Sequence, residues 1–384
     1  MTTSVRTVGA PPIRIPLARP DITDLERQAV ARVMESATLS IGPEVEAFER
    51  ELAAVAGVAH GVAVNSGTSA LHLALLANGV EPGDEVITTT FSFIASANCI
   101  LHAGAKPVLC DIEPQTNSID PEQLESKITP KTKAVIAVDV FGHPALWHEI
   151  ESVCARRGIP LIEDSAESIG ARYRGRSTGG FGQTGIFAFY PNKQVTTGEG
   201  GALVTNDARI ASLARSLRNQ GRGEGGGWLS HERIGFNYRL SEINSALGRA
   251  QLQRLPEILA SRARVAGRYT ELLANLDGVN APGVHGDVEM SWFVYVVQLD
   301  ERFDRTQRDH VLGELRSNGI GCNNYFPCIH LEPVYRDEWG YGEGDFPVAE
   351  SISQRTIALP FHGNLSDSEI KEVIGVLDSS VGAL

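Results

Sequence analysis

Long apolar runs are missing from this chain. Its hydrophobic residues make up 42% of 384, yet they are dispersed and never gather into the roughly 18 or more needed to cross a bilayer. A transmembrane helix is therefore not expected. The first sixteen residues carry two arginines and three prolines without the apolar stretch of a secretory signal, so the cytoplasm is the expected compartment. Cysteine is scarce: the five residues Cys99, Cys110, Cys154, Cys322 and Cys328 are odd in number and show no Cys-x-x-Cys spacing. Reduced core positions fit them better than a metal site or a disulfide framework. Basic charge is also short, with a formal net charge of -13. That argues against nucleic acid as a partner and leaves room only for a local basic pocket that could take a phosphate. Neither internal repeats nor low-complexity tracts are evident.

What is present is a regular alternation. From about residue 60, short β-branched runs predict strands at Gly61–Val64, Glu85–Thr89, Pro107–Asp111, Ala134–Val140, Pro160–Glu163, Gly185–Phe189 and Gly201–Thr205. Helical patterns fall between them at Ser69–Asn78, Ala95–His102, Pro121–Ser126, Leu146–Arg157 and Ala208–Arg218. Strands that are apolar throughout and alternate with helices imply an α/β fold with a mainly parallel sheet covered on both faces. Ligands of such folds bind at the carboxyl ends of the strands. The glycine-rich run Gly221–Gly227 breaks the pattern and is expected to be a mobile loop. Two helices should meet near Pro256, followed by a strand at Trp292–Leu299 and helices at Arg305–Asn318 and Ser366–Leu377. The expected division is a large domain over residues 1–254 and a smaller α+β domain over 255–384.

Four elements could carry chemistry. Lys193 lies on a turn between two predicted strands, twenty-nine residues after Asp164, which closes an apolar strand. A charge there is costly to bury unless it is paired or hydrogen-bonded, and the pairing suggests a lysine Schiff base with an acid behind it. An aspartate so placed could hold a protonated pyridine nitrogen; the plain alternative is a loop aspartate capping the Ser165 turn. Ser66-Gly67-Thr68-Ser69 joins a strand to an apolar helix, whose free N–H groups and positive dipole end suit a phosphate. An ordinary N-cap by Ser66 or Thr68 would explain the same residues. Of Phe91 and Phe93, just after another strand, one could stack on a flat ring and the other pack in the core. His143 reads as a turn histidine.

In this order, the elements resemble the nucleotide-sugar aminotransferases of the DegT/DnrJ/StrS class, which are fold-type I pyridoxal phosphate enzymes like aspartate aminotransferase. The likeness spans nearly the whole chain. It includes Leu39-Ser-Ile-Gly-Pro43 with Phe48-Glu49, Asn65–Leu71, Pro82–Val86, Gly104–Pro107, Asp164 with Gly170-Ala171, Lys193–Gly201, Gly235-Phe-Asn-Tyr-Arg239 and Leu359-Pro360. It implies a seven-stranded mixed sheet and a smaller C-terminal domain. By the same likeness Lys193 forms the Schiff base and moves the proton, a task suited to a desolvated lysine. Asp164 would pair with the pyridine nitrogen and make the ring an electron sink, Phe93 would stack on the ring, and Gly67, Thr68 and Ser69 would hold the phosphate. Asn237 would reach that phosphate from the neighbouring subunit, which implies a homodimer. Ser40, Tyr325 and His330 would face the substrate.

Three positions depart from the family pattern. Ala188 stands where a serine often meets the phosphate, so that contact is missing or replaced by a water or Thr68. Glu167 stands where histidine or glutamine is common near the ring's phenolate oxygen; it either carries a shared proton or points away. Cys328 replaces a usual proline. The implied activity is amination of a ketone on a nucleotide-linked, 4-keto-6-deoxy sugar, with L-glutamate as amino donor. A free cyclitol ketone of aminoglycoside assembly is the alternative substrate. A non-catalytic regulator with the same fold is a further alternative, disfavoured because packing has no need of Lys193, Asp164 and Asn237 together.

Overall fold

The computed structural model describes residues 12–223 and 229–384. The start of the chain, residues 1–11, and residues 224–227 of the glycine-rich run lie outside the described residues. The described part of that run is tied down: the Gly221 N–H donates to the Ser216 carbonyl and Arg222 bridges to His231.

All seven strands expected in the first half form. They are β1 (His60–Val64), β2 (Glu85–Thr89), β3 (Lys106–Cys110), β4 (Thr132–Val138), β5 (Leu161–Asp164), β6 (Thr184–Ala188) and β7 (Gly201–Thr205). They make one sheet in the order β1-β7-β6-β5-β4-β2-β3, parallel except that β7 runs antiparallel to both neighbours. β4 ends two residues earlier than its apolar pattern suggested. Val140 instead opens a tight turn in which Phe141 takes φ 62° and Gly142 φ 92°, outside strand geometry.

Helices cover both faces. In chain order they are α1 (Asp24–Glu35), α2 (Pro43–Ala56), α3 (Gly67–Ala77), α4 (Ala95–His102), α5 (Pro121–Lys127), α6 (Trp147–Arg157), α7 (Ala208–Arg218), α8 (Glu242–Gln253) and α9 (Leu255–Leu273). Alternate residues of a strand point to opposite faces, and β4 shows the consequence. Ile136 packs with Leu71, Ile100 and Leu217 of α3, α4 and α7. Its neighbours Val135 and Ala137 pack with Leu124, Trp147 and Ile150 of α5 and α6.

The sequence pattern left α1 and α2 unpredicted. α1 starts with a capping box, in which the Thr23 side chain and Glu26 satisfy each other's backbone N–H groups. Glu26 then receives Gln251 at 2.8 Å and Arg254 at 3.0 Å, fastening α1 to α8. Beyond α9 come α10 (Arg305–Ser317), α11 (Pro333–Trp339), α12 (Pro347–Ser353) and α13 (Asp367–Val381). They accompany an antiparallel sheet ordered β8 (Val279–Asn280), β9 (Tyr295–Leu299), β10 (Thr356–Leu359). Its core joins Tyr269 of α9, Val297 and Ile357 of the sheet, Leu315 of α10 and Leu377 of α13, with Ile15 arriving from the start of the chain.

The parallel strands β2, β4, β5 and β6 all end on one edge. The residues that follow them, Thr90–Phe93, Asp139–Gly142, Ser165–Glu167 and Phe189–Lys193, therefore share the edge at which α/β folds bind ligands.

Candidate active site

Lys193 sits in the turn after β6, held by its own N–H donating to the Tyr190 carbonyl at 2.9 Å. Its side chain is mostly buried, and its ammonium group faces two partners. Glu167 Oε1 lies 3.4 Å away, and the Phe293 ring centroid lies 3.9 Å away, a distance at which the negative ring face attracts a cation. Glu167 therefore faces the Lys193 amine. Its other oxygen accepts the Phe141 N–H at 2.8 Å, made available by the tight turn after β4. Burial raises the Glu167 carboxyl above the ordinary range, and the Lys193 charge and the Phe141 N–H oppose that rise.

Asp164, the last residue of β5, is 3% exposed. Ser96 Oγ, on the first turn of α4, donates to it at 2.7 Å, and the Ala166 N–H donates at 3.2 Å. Both the cap and the buried-acid readings thus apply to it. Burial pushes its pKa up, and the Ser96 and Ala166 bonds and the Lys193 charge pull it down. Phe93 lies on the loop that carries Ser96 and is 60% exposed, whereas Phe91 is fully buried in the core. The two phenylalanines therefore divide as expected into one open ring and one packing ring.

The turn before α3 is shaped by close backbone approach. A Cβ on Gly201 would lie 2.4 Å from the Ser66 carbonyl carbon, and one on Gly67 would lie 2.7 Å from the Ala188 Cβ. Only glycine fits at either place. Ser66 is the N-cap: its Oγ accepts the Ser69 N–H at 3.0 Å. The Ser69 amide is thereby taken, and a 2.9 Å bond between the Ser66 and Ser69 hydroxyls uses one of their two hydrogens, which leaves the N–H groups of Gly67 and Thr68, the Thr68 hydroxyl and one serine hydroxyl as donors. Ala188 packs on this same turn.

The remaining expected contacts are less uniform. Asn237 is exposed, with its backbone joined to Asn65 and Asn219 of the same chain. Ser40 is exposed and bridges to Ser241. Tyr325 lies near Glu167 and Asn192: burial raises its hydroxyl, the Glu167 charge adds to the rise and a bond with Asn192 opposes it. His330 requires correction. It is fully buried, with Nδ1 2.7 Å from Thr90 Oγ1 and Nε2 3.1 Å from Glu350 Oε1, so neither ring nitrogen is free for a sugar. Cys328 is buried and its thiol is pushed up to about 12, a packing residue like the other four cysteines. His143 is a turn residue, bonded to the Pro144 carbonyl at 2.8 Å.

Several residues of the site carry no sequence signal. Phe293 lies in an apolar run and Ser96 in a helix start. Gln194 Nε2 donates to the Glu167 carbonyl at 2.6 Å and to Ser291 Oγ at 2.9 Å. Each is one of many such residues until the fold selects it.

Comparison with known proteins identifies the family. The model of the DegT/DnrJ/EryC1/StrS aminotransferase family matches residues 20–378. The chain is 40% identical over 368 residues to GDP-perosamine synthase of Caulobacter vibrioides, covering 95% of this chain and 98% of that protein. It is 38% identical over 370 residues to spore coat polysaccharide biosynthesis protein SpsC of Bacillus subtilis, covering 94% and 95%. The PLP-form of the putative sugar aminotransferase Spr1654 from Streptococcus pneumoniae superposes with a TM-score of 0.91 at 28% identity, covering 96% and 99%. The fold and these relatives together define a pyridoxal phosphate-dependent aminotransferase. The chain belongs to the DegT/DnrJ/EryC1/StrS family.

Proposed function

We propose that this enzyme moves an amino group from L-glutamate to a ketone on a nucleotide-linked, 4-keto-6-deoxy sugar. The observation that carries the reading is the edge on which Lys193, Glu167 and Asp164 meet, with Phe93 exposed beside them. The residues present fit pyridoxal phosphate: a buried carboxylate for a ring nitrogen, an open aromatic face, a lysine amine, and a helix start whose first donors are unspent. When bound, the cofactor supplies an electron sink for the carbon being deprotonated. The chain supplies the rest. Asp164 keeps a proton on the ring nitrogen, since an acid held by two donors retains acceptor capacity there. Lys193 takes the proton from the reacting carbon and returns it. Glu167, fixed by the Phe141 N–H, orients the Lys193 ammonium and would share a proton with the cofactor's ring oxygen. Gly67 and Thr68 give backbone N–H groups to the phosphate and Ser69 its hydroxyl.

The names of the relatives support a sugar substrate, and Tyr325 and Ser40 are its proposed contacts. His330 instead holds the loop that presents Tyr325. We also propose a homodimer in which Asn237 of one copy completes the other's phosphate site; Ile41 at 55% and Ile234 at 91% exposure give such a contact apolar surface nearby. The proposed domain boundary at 254/255 falls between α8 and α9, where α9 passes from the large-sheet core at Leu255 to the second core at Tyr269. No described helix is long and apolar enough to cross a membrane, and the cytoplasm is the proposed compartment. The test loads the enzyme with pyridoxamine phosphate, mixes it with GDP-, UDP- and dTDP-linked 4-keto-6-deoxy sugars and with a free inosose, and follows visible absorption. Rapid return of the band with a nucleotide sugar is expected. Return with the inosose alone would transfer the assignment to cyclitols.

A further inference from the structure

Arg262 of α9 is 4% exposed, and among the described residues no carboxylate lies within ion-pairing distance of it. A buried guanidinium without a counter-ion is costly, so what it touches should justify the charge. One nitrogen, Nη1, donates to the carbonyls of Trp292 at 3.3 Å and Phe293 at 3.1 Å. The other, Nη2, donates to the carbonyls of Lys193 at 3.2 Å and Asn192 at 3.5 Å. The ring of Phe361 lies against the guanidinium, 5.5 Å from centroid to carbon. Burial pushes the pKa down to about 10, which still leaves the group charged at neutral pH.

These four carbonyls belong to two segments distant in sequence, and each segment carries one half of a single contact. The first holds Lys193, the second Phe293, and the Lys193 ammonium sits 3.9 Å from the Phe293 ring centroid. We infer that Arg262 is a positioning residue: its planar fork clamps the two backbones together and so fixes where the Lys193 amine stands. Packing alone does not require this arrangement, because an apolar side chain of similar length would fill the space and leave the four carbonyls free to drift. Lysine replaces it only in part, because its donors radiate from one atom and do not span two segments. Errors of about an ångström in a reacting group can cost roughly 100-fold in rate.

The inference rests on the aminotransferase reading, and its test separates the two. Wild type, Arg262→Met, Arg262→Lys and Phe293→Leu are loaded with pyridoxal phosphate. Visible absorption counts bound chromophore, and visible circular dichroism per bound chromophore reports how firmly it is oriented. Arg262→Met is expected to keep the absorption band, lose much of the ellipticity, and lower kcat roughly 10-fold or more with KM for glutamate little changed. Arg262→Lys should fall between Met and wild type. Phe293→Leu should reproduce the loss of ellipticity and keeps the question answerable where Arg262→Met fails to fold. A merely structural arginine would lower the melting temperature and leave ellipticity per chromophore intact; that result, in Arg262→Lys and Phe293→Leu together, overturns the inference. A wild-type protein with no visible band would instead overturn the aminotransferase reading on which it rests.

Discussion

Gly67→Ala tests the shape of the helix start most directly. The new methyl would lie 2.7 Å from the Ala188 Cβ, whereas carbons rest about 3.5–4.0 Å apart, so the turn and β6 must separate by about an ångström. Overpacking of this kind costs about 1–3 kcal/mol. The turn is the more yielding side, since β6 is buried between β5 and β7, and the displaced atoms include the Gly67 and Thr68 N–H groups proposed to meet the phosphate. If the cost falls there, affinity for pyridoxal phosphate weakens roughly 5- to 150-fold. The source of the clash also provides a rescue. Ala188→Gly removes the opposing methyl at a cost of roughly 0.5–1 kcal/mol for glycine within a strand. The double variant should therefore bind the cofactor more tightly than Gly67→Ala alone, with a coupling of about 1 kcal/mol or more. Titration of cofactor-free protein with pyridoxal phosphate, followed by visible absorption, measures all four corners of the cycle. Wild-type affinity in Gly67→Ala, or additivity in the double variant, would refute the reasoning.

Asp164→Asn should lower turnover by orders of magnitude with the fold intact, because the ring becomes a poorer sink; steady-state kinetics beside circular dichroism checks this, and wild-type turnover would remove Asp164 from the mechanism. In cofactor-free protein the same variant should melt no lower than wild type at pH 8. A carboxylate with a raised folded pKa loses stability as pH climbs from its unfolded value through the folded one, so the gap should close on acidification toward the ordinary aspartate range. Glu26 has the opposite sign. Burial acts to raise it, but its bonds to Thr23, Arg254 and Gln251 prevail and lower it from 4.5 to about 2. Glu26→Gln should then cost on the order of 3 kcal/mol at pH 7, a difference fully present above the unfolded pKa and lost as pH falls toward 2; melting curves at pH 7 and pH 3 decide it. Ala188→Ser, which keeps the Cβ that Gly67 accommodates and restores a hydroxyl, should tighten cofactor binding several-fold by adding a charge-assisted hydrogen bond, and unchanged affinity would place the phosphate elsewhere. The proposed dimer should dissociate into inactive chains on dilution; an active monomer in sedimentation and assay at the same concentration would exclude it.

The sheet was legible because its strands are buried on both sides and read as unbroken apolar runs, which two-state patterns of helix and strand separate well. α1 and α2 were not, because what fastens them is a set of distant polar contacts: Glu26 with Gln251 and Arg254, and Glu242 accepting the N–H groups of Gly42, Glu44 and Val45 at the start of α2. The lysine and aspartate stood out by their place after strands, but Phe293 and Arg262 reach the site from beyond residue 255 and no local spacing announces them. His330 misled for the same reason. A histidine among aromatics in a substrate-side loop looks available until Thr90 and Glu350 are seen to occupy both its nitrogens.

The buried acids of this edge show how the structure sorts site from scaffold. Asp139, Glu163, Asp164 and Glu167 are all buried within 29 residues of chain, and residue type alone makes them equivalent. Their hydrogen bonds do not. Asp139 is held by the Ala145 N–H, the Trp147 indole N–H and the Ser168 hydroxyl. Glu163 is held by the N–H groups of Gly179 and Phe181, and the one hydrogen of the Ser165 hydroxyl lies between the two acids, 2.6 Å from Glu163 and 3.1 Å from Asp139. Those two acids brace turns and have little capacity left. Among the described residues, Asp164 and Glu167 each have a single neutral backbone donor and one further partner, Ser96 and Lys193 respectively. A carboxylate supports about four acceptor positions, so these two retain the unused capacity. Unused acceptor positions of this kind suit the donors proposed for them, a protonated ring nitrogen for Asp164 and a proton shared with the ring oxygen for Glu167.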